Sequence, residues 1–312
     1  MWACVMAIFL IYAVIFIVFE DYDKHFLQPF DEVSDWHLLL FSVVVMLLLG
    51  LLLYHYAHKM DERISREQMH RQNEMRRQLT QNIAHELKTP VTSILGYTDT
   101  IINNPGIADE TKMQFIRRTN AQARRMTALL QDISMLNRMD YAPQLLTMER
   151  IDVSALVADI VEETALAVKS RKMKLYNCLP EDICIRGNWS LVYSIFRNLV
   201  DNAICYAGEG TTVEISAEDG DACWTFTFRD NGVGVAEEHL PRIFERFYRV
   251  DKGRSRKRLR SGDEASAIAG GTGLGLAIVK NAVLLHGGQI SAKTAAGGGL
   301  QFDFSLQKNH GV

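Results

Sequence analysis

The distribution of apolar and polar positions divides the chain into three stretches. The first holds two uninterrupted apolar runs, Trp2 to Phe19 and Leu38 to Tyr54, neither with a charged residue. As a helix, the first run extends about 27 Å at roughly 1.5 Å per residue, close to the hydrocarbon core of a bilayer. Trp2, Tyr12, Trp36, Tyr54 and Tyr56 fall near the run ends or along them, as interfacial aromatics do. The first run lacks a basic leading segment and a small-residue cleavage site, and a second run follows it, so a membrane anchor is expected rather than a cleaved signal. From Ala57 the chain turns charged, with no Pro or Gly until Pro90. Apolar residues then recur at helical spacing: Leu79, Ile83, Leu87, Val91, Ile94, Leu95, Thr98, Ile101 and Ile102. Asn103 to Gly106 breaks that pattern as a turn. A second helical run carries Met113, Ile116, Ala123, Met126, Leu130 and Ile133 and ends at Tyr141-Ala-Pro143. Two antiparallel helices cannot bury both stripes alone, so pairing with a second copy as a four-helix bundle is expected. Beyond about residue 145 short alternating runs, Thr211–Glu218 and Ala222–Arg229, intersperse with helical ones, Ser190–Tyr206 and Leu274–His286. That order predicts an α/β sandwich with helices on one face of a mixed sheet.

Charge orients the membrane end. The connector between the apolar runs carries Glu20, Asp21, Asp23, Asp31, Glu32 and Asp35 against Lys24 alone. Lys59, Arg63, Arg66, Arg71, Arg76 and Arg77 follow the second run. Cytoplasmic flanks collect Lys and Arg, which places everything from about residue 57 inside and the short acidic connector outside. A net charge of −3 over 312 residues gives no bulk signal for nucleic acid, and none is expected as a partner. The five cysteines are far apart and lack a C-x-x-C spacing, which argues against a disulfide framework or a zinc knuckle.

Four strings look chemical. His85-Glu-Leu-Lys-Thr-Pro90 lies on the first cytoplasmic helix, with His85 off the apolar stripe. An exposed neutral imidazole has a free ring nitrogen that can attack a phosphoryl group. Glu86 can orient or deprotonate the other nitrogen, and Thr89 lies one turn on along the same face. Pro90 removes a helix donor and should bend the helix there. Asn198 and Asn202 are spaced i and i+4, and their amide oxygens are hard ligands suited to Mg²⁺ beside phosphates. Asp230-Asn-Gly232-Val-Gly234 follows a strand. Its carboxylate can accept from the exocyclic amine of adenine and would repel guanine, while the glycines let backbone approach a ligand. Gly270-Gly-Thr-Gly273-Leu-Gly275 opens a helix and offers free N–H groups to phosphates, without the Lys-Ser/Thr of a Walker loop or the third glycine of a dinucleotide fingerprint. Between the last two strings lie Arg242–Arg249 and a basic segment, Lys252–Arg260, read as a loop able to close over phosphates or to remain solvated.

Asn82 to Ile94 resembles the H-box of bacterial sensor histidine kinases, and the later strings resemble the N, G1, F and G2 boxes of the GHKL (Bergerat) ATP-binding fold. The resemblance covers about residues 75–308. It implies autophosphorylation of His85 from ATP with Mg²⁺, assistance from Glu86, and support by Thr89 for dephosphorylating the partner. Transfer to an aspartate of a response regulator follows. Implied nucleotide contacts are Asn198, Asn202, Tyr206, Asp230, Gly232, Gly234, Gly271, Thr272, Gly273, Leu274 and Gly275, with Asn202 and Asn198 toward the metal. Many members carry Lys three residues after the second Asn; Cys205 stands there instead. The expected organisation is transmembrane helix 1–19, extracytoplasmic loop 20–36, transmembrane helix 37–56, juxtamembrane helix 57–78, dimerisation and phosphotransfer domain 79–142 and catalytic domain 143–308. The expected setting is a multi-pass homodimer in the bacterial cytoplasmic membrane, with lipid and a membrane sensor or transporter as further partners. A GHKL ATPase or an ATP-binding scaffold without phosphotransfer is the alternative.

Overall fold

The computed structural model describes residues 33–250 and 271–308. The first apolar run, most of the acidic connector, Lys252–Arg260 and Gly270 lie outside them. The chain divides into two compact units, 1–76 and 77–312.

In the first unit the described residues belong to helix α1, Val33–Asn103. One stretch of it, Ser42–His70, is long and apolar enough to cross a membrane, and none of it is buried by protein. Leu47, Leu48, Leu51 and Leu52 are all at least 60% exposed, which suits a lipid solvent and not water. One such helix is therefore described, where two were expected.

The second unit begins with a helical hairpin. The rest of α1 runs to Asn103, through Pro90, and α2 spans Asp109–Tyr141. Asp109 and Glu110 in the first turn of α2 and Arg138 in the last complement its dipole. Tyr97 stacks on Phe115 across the hairpin at 5.5 Å. Within one chain, burial falls on a second face of α2, and the expected stripe is left open. Leu129, Leu136 and Met139 are the buried residues of α2. Of the expected set, Met113, Ile116 and Leu130 are exposed, as are Val91, Leu95 and Ile102 on α1.

The α/β layer follows. Strands β1 (Glu149–Asp152) and β3 (Cys184–Gly187) form a small antiparallel pair. Strands β2 (Lys174–Cys178), β4 (Thr212–Asp219), β5 (Cys223–Asp230), β6 (Ile290–Thr294) and β7 (Leu300–Gln307) form a mixed sheet in the order β2-β4-β5-β7-β6. Only the β2–β4 pairing in it is parallel. Alternate residues of β7, Leu300, Phe302, Phe304 and Leu306, are buried against helices, and Gln301, Asp303, Ser305 and Gln307 face the other way. The helices are α3 (Val153–Ser170), α4 (Trp189–Tyr206) and α5 (Gly275–Leu285). Asp152 caps α3 by accepting from Ala155 N at 2.9 Å, and Asn188 caps α4 by accepting from Leu191 N at 3.1 Å. Phe196 of α4 packs edge-on to Phe226 and Phe304, which stack at 5.2 Å. This aromatic cluster fixes the roll of α4 on the sheet, and so the direction its polar side chains take.

Candidate functional site

The phospho-acceptor string lies on the hairpin. His85 and Thr89 are exposed, Glu86 and Leu87 are half-buried, and Pro90 is buried. Leu87 packs on the common core and sets the rotation of this turn, which turns His85 outward. The Thr89 hydroxyl donates to the His85 carbonyl at 3.4 Å. Helix α1 continues through Pro90, whose missing N–H leaves the Glu86 carbonyl without its usual partner. Across the hairpin, Arg125 of α2 approaches Glu86 at 3.9 Å.

The nucleotide-like residues gather along one side of α4. Asn198 is held by its Nδ2, which donates to Ser194 O at 2.8 Å. Its Oδ1 faces Gly275, where a Cβ would stand only 2.6 Å away. Asn202, one turn on, is half-buried, and its carboxamide has no hydrogen-bond partner among the described residues. Tyr206 is 43% exposed at the helix end. Its Oη would lie 3.0 Å from a Cβ on Gly271. The glycine loop thus runs directly over the side of α4 that carries both asparagines, and a side chain at 275 would displace the Asn198 carboxamide.

Asp230 ends β5 and is 5% exposed. Its Oδ1 accepts from Gly232 N at 2.9 Å and Leu300 N at 3.3 Å. Burial holds this carboxyl above the usual carboxylate range, and the two N–H donors oppose the shift. Oδ2 has no hydrogen bond among the described residues. Gly232 packs against the backbone of Ala207 at the end of α4, and Val233 N donates to Ala207 O at 3.1 Å. Gly234 takes φ +65, with the Gly299 carbonyl where a side chain would begin. The turn is therefore wedged between α4 and the β6–β7 connection.

The glycine loop is fastened from two sides. Gly273 has φ +74 and its carbonyl accepts from Phe247 N at 2.8 Å, while Phe247 itself takes φ +62. The stem of Arg249 also lies against Gly273. Thr272 Oγ1 accepts from Leu274 N at 3.2 Å and donates to Asp132 Oδ2 of α2 at 2.8 Å. Leu274 is fully buried and anchors the start of α5.

The seam between α2 and α5 was not foreseen from sequence. Arg246 Nη2 donates to both oxygens of Asp140 at 2.7 and 2.9 Å, and Asn281 Nδ2 donates to the same carboxylate at 3.4 Å. Burial holds the Asp132 carboxyl above its usual range, against the Thr272 bond. A shallow pocket of about 260 Å³ lined by Met139, Asp140, Asn281, Leu284 and Leu285 lies on this seam and holds none of the predicted site residues. His286 was also missed: buried, it bridges Ala282 O at 2.7 Å through Nδ1 and accepts from Asn188 N at 3.0 Å, tying the end of α5 to the start of α4. Its sequence signal was a lone histidine beside two glycines, which distinguishes nothing.

The structure brings Asn198, Asn202, Tyr206, Asp230 and residues 271–275 around one face of the α/β layer. It places His85, Glu86 and Thr89 on the hairpin. A buried acceptor at Asp230, carboxamide oxygens on α4 and a backbone loop at a helix start can read an adenine, a hard cation and a phosphate chain respectively. The unpartnered Asn202 carboxamide fits Mg²⁺ as an oxygen donor. Among the described residues no cluster of three His, Cys, Asp or Glu side chains could hold a metal by itself.

Residues 75–142 match the His Kinase A (phospho-acceptor) domain, and residues 187–310 match the histidine kinase-, DNA gyrase B-, and HSP90-like ATPase family. The sensor-like histidine kinase SenX3 of Mycolicibacterium smegmatis is 32% identical over 231 residues, 74% of this chain and 57% of the relative. The phosphate regulon sensor protein PhoR of Pseudomonas aeruginosa is 30% identical over 234 residues, 75% of this chain and 50% of the relative. The chain spans about half the length of the curated relatives it matches. Among solved structures, the Acinetobacter baumannii histidine kinase AdeS shares the fold with a TM-score of 0.57 at 23% identity, covering 72% of this chain and 98% of that one. Histidine kinase ThkA, in complex with response regulator protein TrrA, gives 0.56 at 19%, covering 74% and 61%.

Proposed function

Because the chain belongs to the histidine kinase family, we propose that it is a membrane sensor kinase that phosphorylates its own His85 from ATP and passes the group to an aspartate of a response regulator. The observation that carries this is the pairing of an exposed His85 with a built nucleotide face on the same compact unit. In this reading Oδ2 of Asp230 accepts from the adenine amine, Tyr206 packs beside the base, and backbone N–H groups of 271–275 meet the phosphates. Asn202, with Asn198 behind it, holds Mg²⁺, which neutralises phosphate charge when bound. The lone pair of a His85 ring nitrogen forms the N–P bond. The bond from the γ-phosphorus to the β-bridging oxygen breaks, and its electron pair leaves with ADP. The proton on the other ring nitrogen passes to Glu86 or water. The protein contributes mainly positioning and electrostatics, as in phosphoryl transfer generally. Thr89, one turn from His85, orients the water that returns the regulator to its unphosphorylated form.

The exposed row Val91, Leu95, Ile102, Met113 and Ile116 supports a homodimer whose hairpins complete each other. ThkA was solved with a response regulator, which supports a partner of that class here. The span within Ser42–His70 and the basic residues that follow it support a cytoplasmic kinase held at the membrane. A second crossing at 1–19, the loop 20–36 and the division at 79 and 143 complete the proposal.

The test is incubation of the full chain in liposomes with γ-labelled ATP and Mg²⁺, beside His85→Gln and Asn202→Ala. Acid-labile, alkali-stable label lost in both variants is the expected result. Label that survives His85→Gln sinks the assignment of the nucleophile. ATP hydrolysis without protein label favours the ATPase alternative.

A further inference from the structure

The seam that faces the site contains two arginines in unlike states. Arg246 has a close carboxylate partner, its Nη2 donating to both oxygens of Asp140 at 2.7 and 2.9 Å. Arg125 does not. Its side chain is only 21% exposed, yet its one ion pair is with Glu86 at 3.9 Å, well beyond a charge-assisted hydrogen bond. Its guanidinium donors make no hydrogen bond among the described residues. A half-buried guanidinium with unfilled donors is costly, and structures rarely keep such groups without use.

Its surroundings indicate what would fill it. Glu86 adjoins His85 in sequence. On the nucleotide side, Tyr206 reaches Gly271 and the stem of Arg249 lies on Gly273. Both act electrostatically on Arg125. Burial lowers the guanidinium from its usual range, Glu86 opposes this, and Arg249 adds to it. A second cation beside an unfilled one makes the spot attractive to an anion of more than one charge. Meanwhile Cys205, one turn after Asn202 on α4, stands where the resemblance noted above implies a lysine.

We propose that Arg125 is a phosphate-binding catalytic residue: its planar guanidinium takes two oxygens of the γ-phosphoryl group as it moves to His85, supplying from the hairpin the charge that position 205 lacks. This rests on the kinase reading above. Arg125 gives up no proton. Its exchange of Glu86 for phosphate also releases the Glu86 carboxylate at the moment the imidazole must lose its proton.

The experiment measures the rate of His85 labelling by the full chain in liposomes over a range of ATP concentrations, for Arg125→Ala, Arg125→Lys, Cys205→Lys and the Arg125→Ala/Cys205→Lys pair. Loss of one pre-set donor to developing charge costs about 100-fold. The expected result is a loss of that order in maximal rate for Arg125→Ala, with the KM for ATP within threefold of wild type. Arg125→Lys should recover part of the rate. The double variant should recover at least about tenfold, since an ammonium on α4 would reach the same oxygens. An Arg125→Ala rate equal to wild type overturns the proposal. So does a fall in rate matched by a fall in ATP affinity and unfolding temperature, which marks a structural role, or a double variant no faster than Arg125→Ala. Absence of label on the wild-type chain removes the kinase reading itself and so is distinguishable from all of these.

Discussion

Replacing Asp230 by Asn should make the protein bind ATP worse and fold better. The carboxyl is 5% exposed, and its Oδ1 is engaged by Gly232 N and Leu300 N. An asparagine keeps that oxygen where the two donors need it, so its amide nitrogen must take the place of Oδ2. A donor then faces the adenine amine, itself a donor. The charge-assisted bond that is lost is worth about 1.5–3 kcal/mol, or roughly 10- to 150-fold in affinity. Guanine offers an acceptor at that position, so the preference for ATP over GTP should collapse by at least the same factor. Stability moves the other way. Burial raises the Asp230 carboxyl above its unfolded value. A carboxyl raised in the folded state favours folding while protonated and loses that contribution as pH rises through its folded value. At neutral pH the native carboxylate is therefore a net cost, which Asn removes. The unfolding midpoint of the nucleotide-free variant should exceed wild type at pH 7.5, with the gap closing toward pH 4. Calorimetric titration of the full chain in nanodiscs with ATP and GTP, and thermal unfolding across that pH range, test both halves. ATP affinity within threefold of wild type, or an unfolding midpoint that drops at pH 7.5, would refute the assigned geometry.

Two other substitutions read the site and the hairpin. Gly275→Ala would place a Cβ 2.6 Å from Asn198 Oδ1. Displacing that carboxamide breaks its bond to Ser194 O, about 1 kcal/mol, while alanine in a helix returns a similar amount. Its unfolding midpoint should stay near wild type while Mg²⁺-dependent ATP affinity falls about tenfold, one decade per 1.4 kcal/mol; unchanged affinity would count against the asparagine face. Leu95 is 56% exposed in a single chain, so Leu95→Glu costs the monomer little but buries an unpaired charge in a bundle. Light scattering in detergent should show monomer in place of dimer, and an unaffected dimer would put the interface elsewhere.

What the sequence made legible was local. The strings around His85, Asn198, Asp230 and Gly271 carry their chemistry in a few consecutive residues, and the structure gathers those of the α/β layer on one face. Strand expectations at Thr211–Glu218 and Ala222–Arg229 lie within a residue of β4 and β5. What stayed hidden depends on distant partners. The β1–β3 pair and the parallel β2–β4 contact join segments whose own patterns are short. The face of α2 that carries Leu129, Leu136 and Met139 went unseen because that helix has two apolar faces, and periodicity picked out only the one left for a second copy. Asp132 finds Thr272 across 140 residues. Arg125 follows Arg124, and two adjacent arginines on a helix read as solvated charge until the other side is known.

The seam on α2 mixes two kinds of fastening. Polar pins stand at its ends, Asp132 to Thr272 and Asp140 to Arg246. Between them lie Met135, Leu136 and Met139. Unbranched thioethers repack at little cost, where β-branched side chains would hold a single register. Sliding the α/β layer by one helical turn, about 5.4 Å, would break directional bonds of about 0.5–3 kcal/mol each and would have to reseat Leu136, which is 2% exposed. In mechanical terms the polar pins act as detents that hold the hairpin in one register, with the thioethers as the compliant part between them.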